Sequence, residues 1–423
     1  MSSSSPSSSS AAAASSDDDA GADIGAVTAP FRVREISLLE FRCFKTLALA
    51  EPPARNRAIA LVGPNGSGKT SVLEAVSLFA PGRGLRSAAA ERLARRDNNG
   101  DTAPAWRVSL AVARNTNTRR LSLEAARGAR KTQKLDEQKT SSLVLAETLP
   151  LLWLTPAQIN LFSGPARARR AFLDRVVAVF FPEHALVLTR AERLRQERRM
   201  LLQRGGAEDA WLDSIEAGLV AETVAAAKLR RHAAARIRES LLALSPPFSR
   251  IQLSLAGDAL GDSDGDSDGD SDGDNNSPDT FTDALSAKLR AARNHDAKSG
   301  RSAVGTHKMD FAVRFAAADA AADSAPASAV LASTGEEKHA MISLLLAAAR
   351  ALHAAGRSPV LLLDELVAHL DNSVSDALFA ELAGLELQVW ASGQELARFP
   401  SARFARCELR RNNDGTRAAE WTP

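Results

Sequence analysis

The stretch Gly63–Ser71, GPNGSGKTS, constrains this chain more than any other. It matches the pattern G-x-x-x-x-G-K-[ST], in which backbone N–H groups wrap a phosphate, the lysine reaches the β- and γ-phosphates, and the last hydroxyl binds Mg²⁺. The apolar run RAIALVG before it and the helical spacing of TSVLEAVSLFA after it predict the strand–loop–helix context that such a loop needs. The predicted nucleotide-contacting residues are Gly63, Pro64, Asn65, Gly66, Ser67, Gly68, Lys69, Thr70 and Ser71.

Composition limits the cellular compartment and the class of partner that we expect for this chain. The two cysteines, Cys43 and Cys407, cannot form a disulfide framework, and no apolar run is long enough for a membrane span, so we expect a cytoplasmic protein without a membrane partner. The net charge of +2 includes nine Asp between positions 258 and 279 and four in the first 29 residues, with no Lys or Arg in either segment. The remainder is therefore strongly basic, which is compatible with a nucleic-acid partner or with solvated arginine faces.

The chain divides into four predicted regions. Residues 1–29 are predicted to be a disordered Ser/Ala/Asp tail, and 30–165 the N-terminal part of an ATPase lobe containing the phosphate loop. Residues 166–310 have helical spacing and form a predicted arm lobe, with a disordered acidic insertion at 257–279; residues 311–415 complete the ATPase lobe. Because strands and helices alternate, the predicted fold is α/β with a parallel sheet and an inserted α-helical arm.

A pair of acidic residues follows the apolar strand pattern of PVLLLDELVAHLD. Asp364 at the strand end is predicted to hold Mg²⁺, and Glu365 to polarise the attacking water. The alternative for Asp364 is a helix N-cap. Lys69 and Asp364 are 295 positions apart, which favours an ATPase with a projecting arm over a small kinase or GTPase.

A second helix start precedes this strand in LASTGEEKHAMISLLLAAARA. Ser333, Thr334 and Gly335 open a predicted long helix, and their N–H groups form a second anion site. The alternative is that Ser333 is an N-cap and Glu336 completes a capping box, which accounts for those two residues alone.

Several stretches resemble a known family. A Ser-x-Gly helix start before an Asp-Glu strand resembles the signature motif of the ABC ATPases, and ISLLEFRCFKTLAL followed by GPNGSGKTSVLEAV is similar to the start of their SMC-like branch. Within that branch the chain resembles the RecF family through GRGLR, LTPAQINLFSGPARARRAFLD, GTHKMD and STGEEKHAMISLLLA, although Thr306 stands where the family has proline. The resemblance covers roughly residues 30–410 and implies an ABC-type, SMC-like ATPase head.

The resemblance also implies a mechanism. ATP with Mg²⁺ is expected between two protomers, where Ser333 and Gly335 of one face the γ-phosphate held by Lys69 of the other. Glu365 is the expected hydrolytic residue, and Asp371 is expected to link the two sites. The implied activity is a weak, DNA-stimulated ATPase in DNA replication, recombinational repair and the SOS response. The implied partners are gapped or junction duplex DNA, single-stranded DNA, and RecR, RecO and the RecA recombinase.

Some assignments remain open. After LELQVW the family usually offers a Thr, and other ABC ATPases a His, to sense the γ-phosphate, whereas Ser392 is the only hydroxyl here. Gln158 is either a Mg²⁺ ligand or a surface residue. Arg169 and Arg170 either form an ion pair, for which Asp174 is a candidate partner, or contact DNA. Further candidate DNA contacts are Arg83, Arg86, Arg190, Arg193, Arg198 and Arg199.

Three other functions share part of the pattern. The ATP-binding subunit of a transporter shares the phosphate loop, the signature and the Asp-Glu pair, but not the EFRCF opening or the arginine-rich arm. A metabolite kinase does not need the signature helix. Another SMC-like repair ATPase is expected to carry a longer, unbroken coiled coil, whereas Gly205-Gly206 and Pro246-Pro247 interrupt this arm.

Overall fold

The computed structural model describes residues 29–51, 57–97, 99–205, 209–246, 248, 251–257, 278–302, 304–315, 334–365, 370–412 and 417–422. Nearly all of the predicted tail and of the predicted acidic insertion falls outside these residues, as does Ser333. Within the described ranges, no helix has both the length and the apolar character needed to cross a bilayer.

The first sheet is antiparallel. Its strands are β1 (Arg32–Phe41), β2 (Phe44–Leu49), β4 (Ala105–Arg114), β5 (Asn117–Ala126), β6 (Thr132–Leu135) and β7 (Gln138–Lys139), in the order β2-β1-β4-β5-β6-β7. Strand β1 and the hairpin β4–β5 were expected from their alternating apolar and polar residues, and both predictions are confirmed. The short strands β2, β6 and β7 were not predicted.

The second sheet carries the parallel core. Its strands are β3 (Ala58–Val62), β8 (Leu151–Leu154), β11 (Val360–Leu363), β12 (Val389–Gly393), β13 (Phe404–Arg411) and β14 (Arg417–Thr422), in the order β14-β13-β3-β12-β11-β8. All neighbours are parallel except β13 and β14. The predicted parallel α/β core is confirmed, and the C-terminal hairpin β13–β14 is an addition that the sequence patterns did not indicate.

Helices cover the parallel sheet and build the arm. In the described ranges they are α1 (Lys69–Ser77), α2 (Ser142–Thr148), α3 (Pro156–Ile159), α4 (Ala166–Phe180), α5 (His184–Arg204), α6 (Asp209–Leu242), α7 (Pro278–Ala291), α8 (Arg293–Ser299), α9 (Thr334–Ala354) and α10 (Asn372–Gly384). The long helical stretch expected after Ala166 is confirmed as α4, α5 and α6. Helices α5 and α6 pack along each other as the arm, with α7 and α8 against them.

Two hydrophobic clusters lie on opposite faces of the parallel sheet. One face, with Leu61 and Leu362, packs against α1 and the inner face of the antiparallel sheet. The other face, with Val62 and Leu363, packs against α9, α10, α4 and the base of α6. This alternation follows from the period of two in a strand. The phosphate-loop helix α1 and the signature helix α9 are therefore separated by the sheet.

A two-stranded sheet joins the arm to the ATPase lobe. Strand β9 (Ile251–Ala256) pairs antiparallel with β10 (Asp310–Phe315), which follows the acidic insertion in the chain. Both strands contribute to the cluster that contains α9 and the base of α6, so the arm base shares a core with the ATPase lobe. Farther along the arm, Ala191, Leu219 and Leu285 belong to a separate small cluster. The boundaries at 165/166 and 310/311 stay a prediction.

Candidate nucleotide-binding site

The phosphate loop occupies residues 63–68 between β3 and α1. Gly63 has φ +152° and Gly68 has φ +110°. A Cβ at Gly63 would lie 2.3 Å from the Leu409 carbonyl oxygen on β13, and one at Gly68 would lie 2.4 Å from the Phe44 ring. Neighbouring strands thus press directly on the loop backbone, and only glycine fits these two positions.

Lys69 lies at the start of α1 and is almost fully buried. Its Nζ donates to the Gly63 oxygen at 2.7 Å and to the Pro64 oxygen at 3.0 Å. An ammonium has three donors, so these two bonds leave one for another acceptor. Burial lowers the pKa of Lys69, while the charges of Glu365 and Asp364 act in the opposite direction. The predicted cationic end of the site is therefore next to the predicted acidic end.

Asp364 collects two hydroxyl donors at the end of β11. Its Oδ1 accepts from Thr70 Oγ1 at 2.9 Å and from Ser392 Oγ at 2.8 Å. Its backbone N–H donates to the Leu154 oxygen at 2.9 Å, which fixes the end of β11 against β8. The carboxylate is thus engaged with the phosphate loop and with β12.

A hydroxyl beside a carboxylate suits a magnesium ion. Thr70 and Asp364 offer the hard oxygen donors that Mg²⁺ prefers, and Mg²⁺ usually takes one or two protein ligands together with substrate phosphates. In the described ranges there is no group of three or more His, Cys, Asp or Glu that could hold a metal by itself. The Ser67 hydroxyl, buried inside the loop, also lacks a hydrogen-bond partner among the described residues. The residues present therefore fit a magnesium–triphosphate ligand.

Glu365 lies beside Asp364 in an uncommon backbone conformation. Its φ is +51°, the left-handed region that side chains other than glycine rarely adopt. Its backbone N–H donates to Ser392 Oγ at 2.9 Å. Residues 366–369, which follow, are not among those described.

Gln158 lies on α3, directly beyond the end of β8. Its Oε1 accepts from the Thr155 N–H at 3.1 Å, and Thr155 Oγ1 lies 3.3 Å away. This is a capping box, in which the side chain satisfies a free N–H at the helix start. A role as a Mg²⁺ ligand would require Oε1 to leave these donors, and that role stays a prediction.

The predicted signature is only partly described. Gly335 lies exposed in the first turn of α9. Two residues on, the buried Glu337 accepts from Ser163 N at 2.7 Å and from Ser163 Oγ at 3.2 Å, which ties α9 to the segment after α3. Asp371 is exposed at the N-cap of α10 and makes no capping hydrogen bond with its side chain.

Two features of the site were not anticipated from the sequence. Arg417 on β14 donates to the Cys43 oxygen at 2.6 Å and to the Gly66 oxygen at 3.3 Å, so the C-terminal hairpin supports the phosphate loop. Glu74 on α1, completely buried, accepts a bidentate pair of bonds from Arg42. No local sequence signal indicated β14 or the contacts of Arg417 and Glu74.

The arm base contains ion pairs between distant segments. Arg169 forms the expected ion pair, but with Asp310 at 2.6 Å rather than with the candidate Asp174. Asp174 instead accepts from Arg230 at 2.8 Å and lies 2.9 Å from His184 Nε2. The two sequence blocks that contain Arg169 and Asp310 are therefore joined in space.

One candidate DNA contact is excluded by its burial. The Arg198 guanidinium donates to Glu216 at 2.8 Å and to Asp296 at 2.6 Å, and the residue is 1% exposed, so the prediction for Arg198 is wrong. Its side chain is held inside the arm because two carboxylates there compensate its charge. Arg83, Arg190, Arg193 and Arg199 are exposed, and two of them form surface ion pairs, Arg190 with Glu222 and Arg193 with Glu197.

A family model, described as the RecF/RecN/SMC N terminal domain, matches residues 32–389. A DNA replication and repair protein RecF of Mesorhizobium japonicum is 32% identical over 384 residues, which cover 88% of this chain and 94% of that protein. Its counterpart in Rickettsia akari is 30% identical over 373 residues, with 86% and 94% covered.

A solved structure has the same fold. It is described as the recombination mediator protein RecF with ATP in the RecFOR pathway, and it aligns with a TM-score of 0.75 at 18% identity over 94% of this chain and 99% of that one. At this identity the likeness speaks for the fold alone.

Proposed function

Because this chain belongs to the RecF/RecN/SMC N-terminal domain family, and within it to the RecF proteins of DNA replication and repair, we propose that it is an ATP-dependent DNA clamp of recombinational repair. The observation that carries the proposal is the joining of the phosphate loop to the acidic strand end, through the bond of 2.9 Å between Thr70 and Asp364. The transporter alternative has no support among the relatives described above.

The nucleotide part of the proposal assigns a role to each site residue. The loop N–H groups and Lys69 bind the triphosphate, and Thr70 and Asp364 hold Mg²⁺, which supplies charge neutralisation at the phosphates. Gln158 is a further proposed ligand of the ion. Glu365 accepts a proton from the attacking water as general base. The proposed activity is hydrolysis of ATP to ADP and phosphate, at a low rate that DNA stimulates.

The position of the signature helix supports a site shared by two protomers. Helix α9 lies on the face of the parallel sheet opposite to α1, so its first turn is not directed by packing toward the phosphate loop of the same chain. A helix start with free N–H groups is an anion site, and Gly335 in that turn is exposed. We therefore assign Ser333, Gly335 and Asp371 of one protomer to the nucleotide held by the partner.

DNA is the proposed polyanionic partner. Outside its two acidic segments the chain is strongly basic, and Arg83, Arg86, Arg193 and Arg199 are exposed. Contacts from such side chains to phosphates give salt-dependent binding that tolerates sequence. The name of the sequence relatives, DNA replication and repair protein RecF, supports DNA as the partner. Gapped or junction DNA as the substrate, and RecO, RecR and RecA as protein partners, are part of the proposal.

The test couples oligomeric state to DNA binding. Light scattering and gapped-duplex binding are measured with and without ATP for the wild type, Lys69→Ala and Ser333→Arg. We expect the wild type to dimerise and retain DNA only with ATP, and Ser333→Arg to bind a fluorescent ATP analogue but remain monomeric.

The control is Ser401→Arg, which adds the same charge at another exposed position. Ser401 lies just before β13, near the edge of the parallel sheet that is opposite to β8. The control should behave as the wild type. Wild-type DNA binding that is indifferent to ATP, or a Ser333→Arg protein that dimerises normally, would contradict the clamp.

A further inference from the structure

Ser392 connects the two acidic residues of the site. It lies in β12, which runs between β3 and β11, and it is completely buried. Its Oγ donates to Asp364 Oδ1 at 2.8 Å and accepts from the Glu365 N–H at 2.9 Å. A single hydroxyl therefore contacts the carboxylate of one acid and the backbone of the next.

The Ser392 hydroxyl has a single hydrogen, which limits the hydrogen bonds that it can donate. A serine hydroxyl has one donor and two acceptor lone pairs. The donor is used toward Asp364, and one lone pair is used by Glu365. Phosphate oxygens accept hydrogen bonds, so Ser392 could contact a phosphate only by withdrawing its one hydrogen from Asp364. The observed hydrogen bond to Asp364 and a hydrogen bond to a phosphate therefore exclude each other.

The backbone of Glu365 needs the support that Ser392 provides. A glutamate with φ of +51° is in a strained region, and such strain persists where surrounding contacts fix the residue. Among the described residues, the Ser392 hydroxyl accepts the hydrogen bond from the Glu365 N–H. The φ of Glu365 sets the direction in which its side chain leaves the strand end.

From this geometry we propose that Ser392 is a positioning residue that orients Glu365 and Asp364 for hydrolysis, instead of a sensor that touches the γ-phosphate. The proposal rests on the proposed ATPase function and assigns to that site a residue which acts through the two acids. Loss of the hydroxyl releases the backbone of Glu365, while the phosphate loop and Lys69, which bind the nucleotide, keep their own contacts. We therefore expect loss of the hydroxyl to lower kcat more than it lowers nucleotide affinity.

The test compares Ser392→Ala and Ser392→Thr with a matched control. Ser77 is also completely buried, and its Oγ donates to the Glu74 oxygen at 2.7 Å and accepts from the Leu85 N–H at 2.7 Å, so Ser77→Ala removes an equivalent pair of bonds at the far end of α1. Steady-state ATPase kinetics, equilibrium binding of a fluorescent ATP analogue and thermal unfolding are measured for each protein.

We expect Ser392→Ala to lower kcat by about 10- to 100-fold, the loss typical when a residue that orients a metal-ligating side chain is removed. Nucleotide affinity should change by less than about threefold, and Ser392→Thr should restore most of kcat. Ser77→Ala should lower the unfolding temperature about as much as Ser392→Ala but keep kcat.

The contradicting outcomes are distinct. A raised KM with unchanged kcat in Ser392→Ala would assign the hydroxyl to the nucleotide, and equal behaviour of the two alanine variants would make Ser392 a structural residue only. Either result leaves the proposed function standing. A wild type that neither binds nor hydrolyses ATP would remove the proposed function and this inference together.

Discussion

At the scale of single residues, the hydrogen bonds of Asp364 explain how the end of β11 is held against the phosphate loop and β12. Two hydroxyls donate to one carboxylate oxygen, and two of the three donors of the Lys69 ammonium bond to loop carbonyls. Buried polar groups that keep hydrogen-bond partners avoid the free-energy cost of desolvation.

The reactivity of the Cys407 thiol can show whether β13 stays packed beside the phosphate loop. Cys407 is completely buried in β13, the strand whose Leu409 oxygen limits the space at Gly63. Burial raises the pKa of this thiol from 9.0 to about 12. The unfolded chain ionises first as pH rises, so the contribution of Cys407 to stability is full below pH 9 and is lost as pH rises toward 12.

We predict that Cys407 resists alkylation in the native protein. Only the thiolate reacts, and at pH 9 the native thiol remains protonated and shielded. Iodoacetamide labelling at that pH, followed by mass spectrometry of the Cys407 peptide, should give little product in the native protein and complete labelling in denaturant. Native labelling at the denatured rate would mean that β13 does not stay packed beside the loop.

The sequence predicted those residues of the candidate site that belong to short motifs. Lys69 and Thr70 follow from the phosphate-loop pattern, and Asp364 and Glu365 from an apolar strand ending in two acids. The contact of Arg417 with Gly66 joins positions 351 apart, and no local spacing predicts such a pair. The positioning role of Ser392 likewise became visible only once β11 and β12 were neighbours.

At the scale of elements, pairing between strands that are distant in sequence determines parts of the fold that local sequence patterns do not predict. Alternation predicted β1, β4 and β5 because one face of each is buried, and the apolar runs predicted β3, β8 and β11. Strand β9 finds its partner β10 across the acidic insertion, and β14 pairs with β13 only through tertiary packing. The register of such pairs depends on the rest of the fold, which short-range periodicity does not contain.

The arm is held by a buried ionic group in addition to its small hydrophobic cluster. Arg198 on α5 contacts Glu216 on α6, Asp296 on α8 and the Leu289 oxygen on α7 at 2.6–2.8 Å. Arg293 adds a second cation to Glu216. One guanidinium thus connects four helices of the arm.

We predict that Arg198→Ala destabilises the arm by about 3–5 kcal/mol, because two buried carboxylates lose their common partner. Urea unfolding of the variant should give a lower midpoint or a separate early transition of the arm. Arg199→Ala, the exposed neighbour, is the control and should change the free energy of unfolding by less than about 0.5 kcal/mol. An Arg198→Ala protein as stable as the control would show that the ionic group contributes nothing to the arm.

At the scale of the whole molecule, the parallel sheet separates the phosphate-loop helix α1 from the proposed signature helix α9. The phosphate loop, Asp364 and Glu365 belong to the candidate nucleotide site on β3, β11 and α1, whereas α9 packs on the other face with the arm base. Glu337 ties the start of α9 to the segment after α3, and Arg169 ties α4 to β10. A partner that engaged α9 would therefore act on a unit that includes the base of the arm.

The central claim is that each hydrolytic site takes its phosphate loop from one protomer and its signature from the other. Glu365→Gln and Ser333→Arg damage different halves of such a site. When the two variants are mixed, a heterodimer contains one site with both defects and one site with neither. If the whole site belonged to one chain, no mixture could contain an intact site.

The most direct measurement is the ATPase rate of Glu365→Gln and Ser333→Arg, each alone and mixed in equal amounts, at a fixed total protein concentration and with gapped DNA. We predict that each variant alone is nearly inactive and that the mixture recovers a quarter of the wild-type rate or less. Random pairing would make about half of the dimers mixed, each with one working site, and the weaker dimerisation expected of Ser333→Arg lowers that share. A mixture no more active than the mean of the two separate variants would contradict the shared site.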